Sequence, residues 1–182
     1  RSVSAFLLNR SSDLLVHGYK GELPNPGERV VCRKNNWDMS TLDGINLTNG
    51  LLGVVCNDPR YQYFRNEDKF IMDFMPDIGY DPSSDPALHG FFGLECSYKY
   101  FTADHANREK LRQSPYITNE RFEFGYAITT HMSQGSEYDN GIYIEEPLMG
   151  DVKRDINRKL NYVGITRFRK FCIYVKSEKH FE

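Results

Sequence analysis

The sequence contains no run of 18 apolar residues, no internal repeat and no low-complexity segment. A transmembrane helix needs about 20 predominantly apolar residues, so none is predicted. The first ten residues, RSVSAFLLNR, combine a short apolar stretch with no small-residue cleavage site, which excludes a secretory signal. The formal net charge of −2 argues against a protein wholly dedicated to coating nucleic acid. We therefore expect a cytoplasmic protein with no membrane partner.

Cysteine is scarce, with four residues at positions 32, 56, 96 and 172 and no CxxC pair. No histidine lies at ligand spacing from any of them, so no metal site is predicted. Cys32, Cys56 and Cys172 lie in apolar runs, which predicts buried, reduced thiols that act as small hydrophobes. A disulfide framework is typical of shorter, secreted chains that are denser in cysteine.

Charge is distributed unevenly along the 182 residues, although the length predicts one domain or one domain with a smaller insertion. Residues 57–95 carry eight acidic and three basic residues, whereas residues 150–182 carry nine basic and four acidic residues. The simplest interpretation of the basic segment is a solvated helix face. The acidic segment is also rich in aromatic residues. We expect most of them to form a small core, because single-strand stacking sites normally lie in positive grooves.

The secondary-structure pattern changes along the chain. Residues 3–16 have the apolar spacing of an amphipathic helix, GELPNPG marks a boundary, and YQYFRNEDKFIMDF predicts a strand or hairpin. From Arg121 the pattern predicts strand, helical turn, strand, helix and strand, an α/β unit with a parallel sheet. The apolar stripe of its long helix is Val152, Ile156, Leu160 and Val163.

Two segments carry most of the functional information, AITTHMSQGSEYD at 127–139 and LNYVGITRFR at 160–169. Together they resemble the two motifs that close the C-terminal lobe of superfamily 1 helicases of the RecD/Dda-like branch, a UvrD-like C-terminal helicase domain. That family reads approximately A-x-T-x-H-K-S-Q-G-S-E-[FY]-D and Y-V-[AG]-[IL]-T-R-[AG], in the same order. PGERVVCRKNNWD and TNGLLGVV resemble the start of an SH3-like insertion in the same lobe. The resemblance covers about 29–56 and 121–176.

The resemblance implies an α/β fold, part of a RecA-like lobe with a parallel sheet and helices, interrupted by an SH3-like β-barrel insertion. Residues 1–20 would be an N-terminal helix of this second lobe, and 21–119 the insertion with an acidic, aromatic-rich elaboration. Residues 120–182 would be the remainder of the lobe, with both helicase motifs. The chain begins with Arg1 rather than Met, from which we expect a C-terminal fragment.

The resemblance assigns Gly135, Glu137 and Arg167 to the nucleotide. Gly135 permits a close backbone approach, and Glu137 is suited to accept a hydrogen bond from a ribose hydroxyl. Arg167 is the expected catalytic residue, because a guanidinium reaching the γ-phosphate stabilises the charge that develops in phosphoryl transfer. The alternative for Arg167 is an arginine at a helix C-terminus, an interpretation that we expect to fit Arg169 and Lys170 better.

The resemblance places Thr129 and His131 on the nucleic-acid strand, where hydroxyl and imidazole groups suit phosphate oxygens. A structural histidine remains the alternative for His131. Met132 departs from the family, which usually has lysine there, and Phe168 replaces a small residue. In the insertion, the basic loop around Lys34 and Asn35 is the candidate DNA-facing segment.

The sequence contains no GxxxxGK[ST] loop, and no acidic pair ends an apolar strand in a plausible context. Both belong to the first lobe of a helicase, so ATP with Mg²⁺ would be bound mainly by an N-terminal RecA-like lobe, and this fragment alone is expected to be inactive. Single-stranded DNA, that lobe, and recombination or replication proteins are the expected partners. The alternatives are a non-enzymatic nucleic-acid-binding or partner-docking module and a helicase-related subunit of a recombination nuclease.

Overall fold

A computed structural model describes residues 22–64, 67–78, 85–134, 137–145 and 151–176. The predicted helix at 3–16 and Gly135 therefore lie outside the described residues. The chain divides into two compact units after Tyr126. We call the described residues 22–126 the β unit and the described residues from 127 to 176 the α/β unit. Of the described helices, none has the length and apolar character needed to cross a membrane.

The β unit is built mainly from short strands. They are β1 (Arg29–Cys32), β2 (Asn36–Ser40), β3 (Asn46–Leu47), β4 (Leu52–Val55), β5 (Arg60–Phe64), β6 (Glu67–Pro76), β7 (Phe91–Ser97) and β8 (Phe122–Phe124). Three short helices are α1 (Pro86–His89), α2 (Tyr98–Thr102) and α3 (His105–Arg112). Asp85, Ser97 and Asp104 cap them, each accepting a backbone hydrogen bond from the first turn.

The strands of the β unit form an antiparallel sheet in which β8 pairs with β1, β1 with β4, and β4 with β6, while β6 also pairs with β5 and β7. A parallel bridge between Cys96 and Glu120 then joins the end of β7 to the segment before β8. The backbone N–H of Ser97 donates to Glu120 at 2.8 Å, and the N–H of Glu120 donates to Glu95 at 2.8 Å. The sheet therefore curls back onto itself as a ring.

The core of the β unit lies inside this ring and is dominated by aromatic rings. Phe70 contacts Phe101 edge-on at 5.4 Å between centroids, and Phe74 contacts Phe122 at 5.1 Å. As expected, aromatics of the acidic segment contribute to this core, namely Phe70, Phe74 and Phe91, and Tyr100 and Phe101 follow just after the segment. Tyr61, Tyr63 and Phe92 are exceptions, because their rings are mostly exposed.

The buried carboxylate of Glu123 on β8 ties the helices to the ring. It accepts a hydrogen bond from the Tyr100 hydroxyl at 2.8 Å and forms ion pairs with Arg33 at 3.3 Å and Arg108 at 3.8 Å. Arg108 and Arg121 flank the Tyr100 ring, each 6.0 Å from its centroid. Burial, followed by the charge of Glu123, raises the pKa of Tyr100, so the hydroxyl remains a donor.

The α/β unit contains β9 (Tyr138–Ile144), α4 (Asp151–Ile165) and β10 (Phe168–Val175). β9 and β10 pair in parallel, as the sequence pattern predicts, with Ile142 opposite Ile173. The prediction that the strand at 121–126 joins this sheet is wrong, because β8 pairs antiparallel with β1. The apolar stripe of α4 is also displaced from the predicted one. Ile156 is 46% exposed, while Asn157 and Gly164 are buried.

The cysteine environments differ from the prediction. All four thiols are free, and Cys32 is buried as expected, but Cys56 is exposed and Cys96 is fully buried. Burial raises the pKa of Cys32 to about 12 and that of Cys96 well above its ordinary value. The apolar run around Cys56 predicted a buried thiol. The thiol is exposed because Cys56 follows the end of β4, where the chain leaves the sheet.

Replacing Glu123 with Gln is expected to lower the free energy of unfolding by about 3 kcal/mol, because Arg33 and Arg108 would keep buried charges without a compensating carboxylate. Urea denaturation followed by circular dichroism measures this change. Glu109→Gln is the matched control, since the Glu109–Arg112 pair at 3.5 Å is exposed and should contribute about 0.5 kcal/mol or less. Equal effects of the two variants would contradict the role of Glu123.

Candidate functional site

The two motif segments meet where the parallel strands begin. Glu137 immediately precedes β9 and Arg167 immediately precedes β10, and the register sets Tyr138 opposite Phe168. The backbone N–H of Tyr138 donates to the carbonyl of Arg167 at 2.8 Å. Glu137 is exposed. Since adjacent parallel strands lie about 5 Å apart, the structure brings this carboxylate and this arginine to one edge of the sheet.

The predicted DNA-facing residues lie in a hydrogen-bonded turn that leads toward this edge. The N–H groups of Met132 and Ser133 donate to the carbonyl of Thr129 at 3.0 and 3.1 Å, and Met132 also approaches the Thr129 hydroxyl at 3.3 Å. Ser133 is buried and donates its hydroxyl to Thr130 at 2.8 Å, while His131 is exposed. The turn thus fixes the backbone and leaves the imidazole accessible.

Arg167 is anchored at the end of α4. Its Nε donates to the carbonyl of Val163 at 3.2 Å, one of the helix-end carbonyls that lack an intrahelical partner. Among the described residues, the terminal nitrogens of its guanidinium have no hydrogen-bond acceptor. The side chain therefore has a fixed base, and no described residue accepts from its two terminal nitrogens.

Arg169 and Lys170 have a different environment from the predicted helix terminus. Both lie at the start of β10 and hold the carboxylate of Asp139, at 2.6 Å for Arg169 and 2.8 Å for Lys170. Lys170 first, and then Arg169, lower the pKa of Asp139 below its ordinary value. The interpretation of these two cations as helix-end residues is wrong, and it is Arg167 that contacts the end of the helix.

Two glycines determine how closely the elements of this unit approach one another. A Cβ on Gly164 of α4 would lie 2.1 Å from the Tyr143 ring, so only glycine lets the helix pack on β9 at this point. A Cβ on Gly141 of β9 would lie 2.1 Å from the Phe168 ring. This contact explains the departure at Phe168, because the large ring occupies space that Gly141 leaves open.

The opposite end of the strand pair, near the last residues of β9 and β10, carries a polar network that the sequence analysis did not predict. Glu145, at the end of β9, accepts hydrogen bonds from Asn161 at 2.7 Å and from the Tyr174 hydroxyl at 2.6 Å. Tyr143 donates to Asn161 at 2.9 Å, and its ring stacks on Tyr174 at 5.9 Å between centroids. Burial and then Glu145 raise the pKa of Tyr174 to about 12. In the sequence, the available signal for this network was the polar residue Asn161 within the amphipathic helix α4.

Lys34 and Asn35 belong to the β unit and are hydrogen-bonded within it. Lys34 donates to the carbonyl of Thr118 at 2.7 Å and approaches Glu120 at 3.4 Å. Asn35 accepts from the backbone N–H of Asn49 at 2.7 Å. These contacts give both side chains a structural role in fastening the loop after β1.

The edge formed by Glu137 and Arg167 is suited to an anionic ligand rather than to a metal ion. It offers one carboxylate acceptor for a hydroxyl and one guanidinium for phosphate oxygens. The described part of the chain groups no three His, Cys, Asp or Glu side chains that could hold a metal ion.

No family model matches the sequence, and no curated protein matches it.

Gly141→Ala is expected to cost about 1–3 kcal/mol of unfolding free energy, because the added methyl meets the Phe168 ring. In a Phe168→Ala background the same substitution should cost less, since the ring that it meets is absent. A double-mutant cycle by urea denaturation measures the coupling. Phe171→Ala removes an exposed ring of the same strand and serves as the control. An undiminished cost in the Phe168→Ala background would contradict the packing contact.

The carboxyl of Asp139 should titrate below its ordinary pKa, as NMR of the carboxyl carbon would show. Because the folded-state pKa is lowered, the ion pairs stabilise the fold above the unfolded pKa, and this stabilisation is lost as the pH falls through the lowered value. Lys170→Ala should raise the pKa of Asp139, whereas Arg158→Ala on exposed α4 should leave it unchanged. A pKa insensitive to Lys170 would refute the pairing.

Proposed function

We propose that this chain is the C-terminal part of an ATP-dependent DNA helicase of superfamily 1, in the RecD/Dda-like branch. The observation that carries the proposal is that Glu137 and Arg167 immediately precede two paired parallel strands, at the same end of the pair. The two residues are 30 positions apart in sequence, and each comes from a different helicase-like motif. The resemblance in sequence therefore coincides with the proximity that a shared ligand requires.

In this proposal, Arg167 reaches the γ-phosphate of ATP bound by another lobe. The Nε contact with Val163 holds the base of the guanidinium, and its terminal nitrogens supply the bidentate donors that phosphate oxygens require. A charge that is already oriented costs little reorganisation as negative charge develops on the phosphoryl group. Glu137 would accept a hydrogen bond from the ribose.

Thr129 and His131 would contact the backbone of single-stranded DNA. The turn that contains them ends three residues before Glu137, so the proposed DNA contacts and the proposed nucleotide contact belong to one short segment of the sequence. Met132 supplies no cation at the position where the family usually has lysine. Binding to phosphates would consequently be less salt-dependent than in relatives that carry the lysine.

We also propose that the fold is a second RecA-like lobe interrupted by an SH3-like barrel. The ring of β6, β7, β8, β1 and β4 supports the barrel. The lobe is supported by one face of the β9–β10 pair, which is apolar and exposed. Parallel sheets are normally covered by helices on both faces, so this face favours a further packed layer in the complete enzyme. The exposed side chains are Ile142, Ile144, Phe171, Ile173 and Val175.

Arg167→Ala, tested in the protein that carries both lobes, should reduce DNA-stimulated ATP hydrolysis by about 10³-fold or more, as for arginines that act in trans in GTPases. Arg169→Ala is the matched control, because Arg169 is paired with Asp139 and should leave turnover near the wild-type rate. Circular dichroism would verify that both variants are folded. Wild-type turnover by Arg167→Ala would refute the assignment.

A non-enzymatic module derived from a helicase lobe is the second candidate. It is favoured by Met132, which stands where the family usually has lysine. It is also favoured by the contact of Arg167 with the end of α4, because this contact by itself would account for an arginine at this position. The two functions differ in what Arg167 contributes. The module requires only the Nε contact, whereas the enzyme also requires the terminal nitrogens. Unchanged ATP turnover in Arg167→Ala together with lower stability would support the module.

A further inference from the structure

Three tyrosines and two carboxylates form an exposed surface on the β unit, which we call the tyrosine edge. Its members are Tyr61 and Tyr63 on β5, Asp68 on β6, Tyr98 at the start of α2, and Glu22. Tyr61 and Tyr63 alternate along the strand and so face the same side, and Asp68 lies directly opposite Tyr63 in the register. The rings of Tyr61 and Tyr98 meet edge-on, 5.0 Å apart. Tyr61 is 51% exposed and Tyr63 is 63% exposed.

The carboxylates are held against the tyrosine rings. The hydroxyl of Tyr61 donates to Asp68, and the hydroxyl of Tyr98 donates to Glu22. The hydrogen bond to Asp68, and then burial, raise the pKa of Tyr61, and the bond to Glu22 and then burial raise the pKa of Tyr98 to about 12. Both hydroxyls are hydrogen-bond donors at neutral pH. The hydroxyl of Tyr61 holds the Asp68 carboxylate beside its ring, and that of Tyr98 holds the Glu22 carboxylate.

No described cation neutralises this surface. Arg60 and Lys69 belong to the same two strands, but their positions alternate with those of the tyrosines and Asp68, which directs them to the opposite face. Lys69 is in addition paired with Glu95 at 2.6 Å. The tyrosine edge therefore combines aromatic faces with two carboxylates that no described cation pairs.

The backbone beside the tyrosine edge can also take a partner. Among the described strands, β5 pairs with β6 alone, so its other edge has no strand partner. An open strand edge presents backbone N–H and C=O groups that an extended peptide can pair with. Alternate side chains of such a peptide would then lie over alternate residues of β5.

We propose that the tyrosine edge binds an extended, arginine-bearing segment of a partner protein. A guanidinium stacks on aromatic faces, and carboxylates at the ring hydroxyls match its charge and its donors. Side chains two residues apart in an extended peptide have the same spacing as Tyr61 and Tyr63. Single-stranded DNA would bring phosphates next to Asp68 and Glu22 and is disfavoured at this surface. The proposal is independent of the nucleotide role of Arg167.

The test measures fluorescence anisotropy of a labelled peptide of alternating arginine and serine, titrated with the full chain. A length-matched peptide of alternating glutamate and serine and an oligothymidylate are the comparison probes. The arginine peptide should bind, and Tyr61→Ala should weaken it about tenfold, the loss expected for a cation–π contact. Asp68→Asn should weaken binding and reduce its dependence on salt, because one ion pair is lost.

Matched controls separate the tyrosine edge from general attraction to an acidic protein. Tyr116→Ala removes an 86% exposed ring elsewhere, and Asp38→Asn removes an exposed carboxylate elsewhere. Both should leave the affinity unchanged. Asp68→Lys keeps the rings and should abolish binding, with circular dichroism reporting the fold of each variant. Affinity insensitive to Tyr61 and Asp68, loss of affinity in the two controls, or oligothymidylate binding that depends on Tyr61 would each overturn the proposal.

Discussion

The close approach of α4 and β10 to β9 is the constraint on which the candidate site depends. Gly164 lets the helix lie against Tyr143, and Gly141 leaves room for the ring of Phe168. With both contacts made, the register of the parallel pair is fixed, because a slip by one residue would exchange the two faces of β10. Glu137 and Arg167 occupy neighbouring positions only in this register. Packing in the middle of the strand pair thereby positions the groups at its end.

The two ends of the strand pair differ in how their polar groups are satisfied. At the end near Glu145, both carboxylate oxygens accept hydrogen bonds from Asn161 and Tyr174, so the network is closed and serves stability. At the other end, Glu137 is exposed and the terminal nitrogens of Arg167 have no acceptor among the described residues. Polar groups left available on a rigid support are typical of binding sites. This contrast makes the beginning of the strands the better candidate for function.

Local patterns predicted individual elements well and their partners less well. The hairpin of β5 and β6 and the order β9, α4, β10 follow from periodicity and turn residues, which act over a few positions. The pairing of β8 with β1 is a long-range contact that no local pattern encodes. The same holds for the burial of Cys96, which lies where the ring closes. The shared nucleotide role of Glu137 and Arg167 stays a prediction, and the helix C-terminus, which was the alternative for Arg167, is the part that its Nε contacts.

Net charge along the sequence is a poor guide to binding surfaces, because several charges of each segment are bound by partners within the fold. In the acidic segment, Asp77 pairs with Arg29, Asp73 accepts from the backbone of Gly93, and Asp85 caps α1. In the basic segment, Arg169 and Lys170 are both bound to Asp139. What distinguishes a candidate surface is charge that no described side chain of opposite sign pairs. Asp68 and Glu22 beside exposed rings meet this criterion, and so does the guanidinium of Arg167. In the described part of the chain these groups form one negative and one positive surface, for which we propose different ligands.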